Sequence, residues 1–157
     1  MRGLIAGFAL ALAGPLAAQV PVAPSPYVAP STDFIEIPAL QVDLVLKAGS
    51  DRVYFSGNDF GLTVSARATL AAQARWLLVN PEVRALIEGH SDQRDTREHA
   101  LAIGERRATT VRDYLVSLGV PPVRLNVTSW GKERPIQPAP GDYGIDRNAR
   151  VVTTIIR

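Results

Sequence analysis

Two segments carry apolar residues at the three- and four-residue spacing of an α-helix. The first covers residues 65–79 and stops at Pro81, because the residue before a proline disfavours the helical region. The second begins near Asp95, which with Glu98 fits a variant of the capping box, and stops after Leu118 at Gly119. Its predicted core face consists of Leu101, Gly104, Ala108, Val111, Leu115 and Leu118.

Shorter apolar runs predict strands between and around these helices. The predicted strands cover residues 32–46, 51–55, 84–88, 125–130 and 151–156. In the first of them Leu40, Val42, Leu44 and Leu46 alternate with other residues, a period of two. Strands that alternate with helices imply at least one parallel pair with a right-handed crossover. We therefore expect an α/β two-layer sandwich, a mixed sheet of four or five strands with two main helices on one face.

The N-terminal residues have the pattern of an export signal. Arg2 precedes an apolar run, and Ala17-Ala18 supplies the small residues of a cleavage site. We predict a signal peptide at residues 1–18, a proline-rich linker at 19–38 and a folded domain at 39–157, in a protein exported to the periplasm. The alternative is an uncleaved anchor helix, which needs about 20 apolar residues, more than this run provides.

Composition narrows the classes of function. The formal net charge of +2 over 157 residues gives no basis for nucleic-acid binding. Lys47 and Lys132 are the only lysines, so nearly all positive charge is on arginine, which suits two-pronged contact with carboxylates. The sequence has no cysteine, which excludes a disulfide, a thiolate nucleophile, a cysteine-ligated metal and a lipid-modified N-terminal cysteine.

The densest polar run, residues 88–95, lies between a predicted strand end and a helix start, where α/β sheets often bind ligands. His90, Ser91 and Asp92 are the residue types of a catalytic triad, but adjacent strand residues point to opposite faces. A metal site using His90, Asp92 and His99 lacks a compact ligand spacing. We therefore predict neither catalysis nor a metal or other cofactor; a solvated turn is the plainest interpretation.

The second helix carries two adjacent arginines with different predicted surroundings. At about 100° per residue, Arg106 points about 170° away from the centre of the core stripe and Arg107 about 70° away. Arg106 should face water, and Arg107 should lie along the rim of the core, where packing can orient its guanidinium. An ordinary rim arginine that covers apolar surface fits the same geometry. Either way, Arg107→Ala should change the melting temperature little.

Five segments together resemble the OmpA-like domain family in order and spacing, in particular its peptidoglycan-associated lipoprotein branch. They are Val53-Tyr54-Phe55, residues 88–92, residues 104–108, residues 129–135 and residues 147–151. The resemblance covers roughly residues 46–157. It implies the strand and helix order β-α-β-α-β-β.

The resemblance also implies a function, the non-covalent binding of peptidoglycan through the diaminopimelate of its stem peptide. The family uses one Asp and one Arg fifteen positions later, which here are Asp92 and Arg107. Asn58, Arg94 and Arg150 are the supporting contacts expected. Such a domain would lie in the periplasm, associated with the outer membrane or the cell wall. The alternative is a structural adaptor of the same fold that docks an envelope protein and has lost wall binding.

Four positions depart from the pattern of that branch. Asp95, His99 and Ala100 stand where it usually has Gly, Tyr and Asn, which adds a negative charge and removes an amide. Ala149 replaces the first arginine of an Asn-Arg-Arg motif, while Arg150 keeps the second. Of these, Asp95, Ala100 and Ala149 favour the adaptor.

Overall fold

The computed structural model describes residues 33–92, 96–136 and 145–156. In chain order the elements are α1 (Asp33–Ala48), β1 (Arg52–Tyr54), α2 (Val64–Val79), β2 (Arg84–His90), α3 (Arg97–Ser117), a 3-10 turn (Pro122–Arg124), β3 (Leu125–Gly131), α4 (Ile145–Asn148) and β4 (Arg150–Ile156). The predicted signal peptide, most of the linker, Arg94, Asp95 and most of the predicted loop 135–144 lie outside these ranges.

The four described strands form one mixed sheet in the order β1-β4-β2-β3. β2 and β3 are parallel, as the α3 crossover between them requires, and β4 is antiparallel to both β2 and β1. From β1 to β4 the described strands and long helices follow the predicted order, with the 3-10 turn and the short helix α4 between them. The predicted mixed α/β sheet is confirmed.

The core lies between one face of the sheet and helices α2 and α3. Ala85 and Ile87 of β2 are fully buried, whereas their neighbours Leu86 and Glu88 point to the other face and are half-buried. The same alternation recurs in β4, where Val151 and its alternate residues are buried. The expected two-layer arrangement is therefore present.

The first predicted strand, residues 32–46, is wrong, because residues 33–46 belong to helix α1. Leu40, Leu44 and Ala48 are four residues apart, so they satisfy a helical period as well as alternation. Leu44 is fully buried, while Leu46 is 77% exposed, which no strand with a single buried face would show. The helix begins at Asp33, inside the segment predicted as linker.

Helix α1 is held by α2 and β4. The Trp76 indole of α2 donates to the Asp43 carboxylate at 2.8 Å. The Gln41 side chain donates to the carbonyl of Thr153 and accepts from the amide of Ile155. The domain therefore has a third long helix that the apolar pattern did not predict. None of the described helices is both long and apolar enough to cross a membrane.

Helices α2 and α3 confirm the sequence pattern, with two corrections for α3. Thr96, not Asp95, is its N-cap, and the Thr96 hydroxyl accepts from His99 N at 3.3 Å. Of the predicted core face, Leu101 is only half-buried and Leu118 is 37% exposed. The buried residues of α3 are Ala100, Ile103, Gly104, Arg107, Ala108, Val111 and Leu115.

Candidate functional site

Asp92 lies where the parallel strands β2 and β3 end. The register shifts between Gly89 and His90, and pairing continues one residue further because Ser91 N donates to the Gly131 carbonyl at 2.9 Å. Gly131 has a φ of +51°, a conformation that favours glycine. The Asp92 side chain that follows is only 2% exposed. The carboxylate is thus placed at the carboxyl ends of two adjacent strands.

Two glycines bring α3 close to β2 at this end of the sheet. A Cβ atom added at Gly89 would lie 1.8 Å from the Gly104 carbonyl oxygen, so the two backbones approach too closely for any side chain. The Ser129 hydroxyl of β3 also donates to the Leu101 carbonyl at 2.8 Å. Helical side chains lean toward the N-terminus, so Arg107 extends back to the end of β2.

Arg107 is fully buried and is held by three backbone carbonyls. Its Nε donates to Asp59 O at 2.9 Å, one Nη donates to His90 O at 3.1 Å, and the other Nη donates to Gly57 O. The guanidinium carbon also lies 5.3 Å from the centre of the Phe55 ring. The site therefore fixes the orientation of a planar cation.

These contacts correct the predicted position of Arg107 at the rim of the core. The helical wheel accounts for the sheet on one side of α3 but not for the segment after β1, which covers the other side of the guanidinium. Arg106 confirms its prediction, since it is exposed and lies 6.0 Å from the centre of the Phe60 ring. The two adjacent arginines thus differ more than the wheel alone predicted.

The structure brings Asp92 and Arg107 to the same site. Arg107 donates to the carbonyl of His90, two residues before Asp92, and each of the two side chains is at least 98% buried. The chain that follows Phe55 supplies the opposite wall. A site with one buried acid and one buried guanidinium can bind a group that carries both charges.

Asn58 also lies near this site, at the tip of the loop that holds Arg107. The loop turns at Gly57, whose φ is +50°, and closes through a hydrogen bond from Asp59 N to Ser56 O. The Asn58 amide is exposed and lies 3.4 Å from Nε2 of His99. The loop and the first turn of α3 are therefore linked across the site.

Arg150 is not brought to this site. Val151 faces the helices, so its neighbour Arg150 lies on the opposite face of the sheet, where it donates to the carbonyls of Asn148 and Arg134. Burial and the nearby charge of Arg52 lower its pKa. Arg150 stabilises the chain segments before β4, and its supporting contact with a ligand stays a prediction. Arg94 lies outside the described residues.

His90 is buried on the same face of the sheet as Arg150, opposite the face that packs against α2 and α3. Its Nε2 lies 4.0 Å from the Glu88 carboxylate, while Nδ1 has no hydrogen-bond partner among the described residues. Burial, and then the charges of Arg150 and Arg134, lower the pKa of His90 to about 4. The ring is therefore neutral at pH 7. In the described ranges no cluster of three acidic or histidine side chains could hold a metal ion.

Two of the unusual residues are core residues. Ala100 and Ala149 are 0% and 1% exposed, so neither presents a surface to a ligand. The carbonyl of Ala149 accepts from Phe55 N at 2.8 Å, which fixes the start of the loop over Arg107. These substitutions therefore alter packing behind the site.

Sequence reasoning missed the carbonyl groups of Gly57, Asp59 and His90 and the ring of Phe55. Backbone acceptors carry no signature of residue type, so a motif cannot indicate them. Gly57 was the one available signal, because a glycine after a strand favours a turn with positive φ.

The strands, the α3 crossover and the loop over Arg107 form a small α/β domain with the buried Asp92 and Arg107 at one end of its sheet. The chain belongs to the OmpA family, whose model matches residues 54–149. The match begins at the end of β1 and includes Asp92 and Arg107.

Two relatives of this chain carry the same name. The chain is 42% identical over 118 residues to the peptidoglycan-associated lipoprotein of Rhizobium meliloti. The aligned residues cover 75% of this chain and 66% of that protein. The protein of the same name from Brucella melitensis is 40% identical over 118 residues, 75% of this chain and 70% of that one.

Solved structures agree on the fold. The crystal structure of the peptidoglycan-associated lipoprotein from Burkholderia pseudomallei superposes with a TM-score of 0.67 at 30% identity, covering 69% of this chain and 92% of that one. The C-terminal domain of MotB from Helicobacter pylori gives a TM-score of 0.62 at 20% identity, covering 68% of this chain and 84% of that one.

Proposed function

We propose that this chain binds peptidoglycan without catalysis and grips the diaminopimelate of its stem peptide through Asp92 and Arg107. The free end of diaminopimelate is a zwitterion. A carboxylate can receive its ammonium group, and a guanidinium can take its carboxylate by two parallel hydrogen bonds. The observation that carries the proposal is the buried Arg107, oriented by three carbonyls next to the segment that bears Asp92.

The names of the relatives support peptidoglycan as the ligand, and they favour wall binding over the adaptor alternative. They also support a place in the cell envelope, for which we propose the periplasm, associated with the outer membrane or wall. The unusual Ala100 and Ala149, on which the adaptor alternative partly depended, are buried and present no surface to a partner.

Access to Arg107 requires the loop over it to move. Because Arg107 is fully buried, a ligand carboxylate reaches it only when the carbonyls of Gly57 and Asp59 give way. A carboxylate is a stronger acceptor for a guanidinium than a neutral carbonyl, so this exchange is favourable once the loop opens. Binding should therefore be coupled to a change in the loop that carries Asn58.

The net affinity for one stem peptide should be weak. The ligand replaces contacts that the arginine already makes, and it must also displace a loop. Attachment to the wall then depends on many copies that engage one polymer, since linked binding events raise the effective concentration.

Pull-down with purified sacculi tests the proposal. Wild type, Asp92→Asn and Arg107→Lys are each incubated with free-acid sacculi and with sacculi amidated on the diaminopimelate carboxylate. Wild type should bind the free-acid wall best, because an amide offers Arg107 no charge and only one acceptor oxygen. Arg107→Lys keeps the charge but loses the two-pronged geometry, so it should bind less well to both walls.

Arg106→Ala is the matched control, since it removes an adjacent and exposed arginine. It should bind like wild type, and thermal melts should show which variants remain folded. Equal retention of the folded variants on both walls would contradict recognition of the two charges. Release of muropeptides that disappears in His90→Ala would contradict a non-catalytic role.

A further inference from the structure

A second concave surface lies on the far side of α3 from Arg107, between α3 and the outer edge of β3. This β3 groove has a volume of about 510 Å³. Glu98, Ala102 and Glu105 form its helical wall, and Val127 and Ser129 belong to its strand wall. None of these residues belongs to the proposed wall-binding site.

The strand wall is an open sheet edge. β3 is the last strand in the sheet order and has seven residues, and no strand of the described ranges pairs with its outer side. Natural edge strands are usually blocked by Lys, Pro or inward-pointing charge. The segment from Leu125 to Gly131 contains none of these, and its one irregularity, the bulge at Trp130 opposite the Gly89–His90 shift, lies at its end beyond the groove-lining residues. Edge strand β1, in contrast, has only three residues.

The helical wall is acidic. Glu98 and Glu105 are both exposed, and neither has an ion-pair partner among the described residues. The neighbouring pair of Arg97 and Glu133, 3.0 Å apart, is neutral overall. The β3 groove therefore carries two uncompensated negative charges beside an unpaired edge.

We propose that the β3 groove binds an extended segment of a partner protein that has lysine or arginine at alternate positions and adds to the sheet as a fifth strand. Glu98 and Glu105 are seven residues apart, about 10.5 Å along a helix. Basic residues two and four apart on a strand span roughly 6.6 and 13 Å, which brackets that spacing. A second copy of the chain fits less well, because two-fold pairing of β3 would face these glutamates with like charges.

Fluorescence anisotropy with a labelled peptide tests this proposal independently of wall binding. The probe is Thr-Lys-Val-Lys-Val-Lys-Val-Thr, and the control has the same sequence with every central amide N-methylated, which keeps the charge but removes the donors. Glu98→Gln combined with Glu105→Gln should weaken binding about five- to tenfold, from two exposed ion pairs. Glu82→Gln, an exposed acid elsewhere, should leave binding unchanged.

The proposal expects the unmethylated peptide to bind, the methylated one to lose binding, and melting temperatures to stay within a few degrees. Equal affinity for both peptides would show charge attraction alone and overturn strand addition. Failure to bind at millimolar peptide, or wild-type affinity of the double glutamine variant, would also overturn it. Self-association in sedimentation velocity that the peptide suppresses would assign the edge to a second copy and overturn the proposed partner.

Discussion

Arg107→Ala should destabilise the fold strongly, whereas the helical wheel alone predicted little change. The substitution removes a fully buried guanidinium and leaves the carbonyls of Gly57, Asp59 and His90 without their donor. It also removes the contact with the Phe55 ring. The loop over the site would lose the side chain that connects it to α3.

The expected loss of stability in Arg107→Ala can be worked out from the three hydrogen bonds of the guanidinium. Each bond from a charged donor contributes about 1.5–3 kcal/mol, but the three act on one group and two of the carbonyls lie in a surface loop that can reach water. We therefore expect a loss of about 4 kcal/mol in the free energy of unfolding, a large share of the stability of a small domain. With an m-value of about 2 kcal/mol/M, the urea midpoint should fall by roughly 2 M.

Urea unfolding followed by circular dichroism measures this change. Arg106→Ala is the control and should shift the midpoint by no more than a few tenths of a molar unit, because Arg106 is exposed. The urea midpoint of Arg107→Lys should lie between those of Arg106→Ala and Arg107→Ala, since one ammonium group cannot reach three diverging carbonyls. Equal midpoints for Arg106→Ala and Arg107→Ala would refute the structural role assigned to Arg107.

Further predictions concern the buried histidine, the glycine contact and the N-terminus. His90 has a folded pKa of about 4 against an ordinary value of 6.5, so the unfolded state binds its proton first and stability is lost as the pH falls from about 6.5 to 4. Each pKa unit corresponds to about 1.4 kcal/mol before solvent screening reduces it, so denaturant titrations should show a loss of about 2 kcal/mol that His90→Gln removes. Gly89→Ala should cost about 3 kcal/mol or fail to fold, because its Cβ would meet the Gly104 carbonyl; a midpoint equal to that of wild type would contradict the close contact. The mature protein should begin near Gln19, and an intact mass that retains Met1 would argue against cleavage.

The sequence predicted α3 and β2 well because each has one dominant apolar period and a strong stop. Gly119, with a φ of +102°, ends α3 as expected. The segment of α1 failed because Leu40 and Leu44 fit both a period of two and a period of four. Only the packing of Leu44 against the core and the exposure of Leu46 decide between them.

The two main residues of the candidate site follow from the family resemblance, but their burial does not. The resemblance to the family selected Asp92 and Arg107, and the structure brings them together at the end of β2. The burial of Arg107 depends on the loop at Gly57 and Asp59, about fifty residues earlier in the chain. The apolar period of α3 carries no information about a loop that lies so far away in the sequence. The apolar pattern also did not show that strand alternation places Arg150 on the other face of the sheet, and its supporting contact stays a prediction.

Competition with soluble stem peptides tests the central claim most directly. One peptide contains diaminopimelate, and a matched peptide contains lysine, which keeps the side-chain ammonium but lacks the terminal carboxylate. The account predicts that the diaminopimelate peptide displaces the wild-type protein from sacculi and that the lysine peptide does so poorly. Equal displacement by both peptides, or by neither, would contradict recognition of the zwitterion by Asp92 and Arg107.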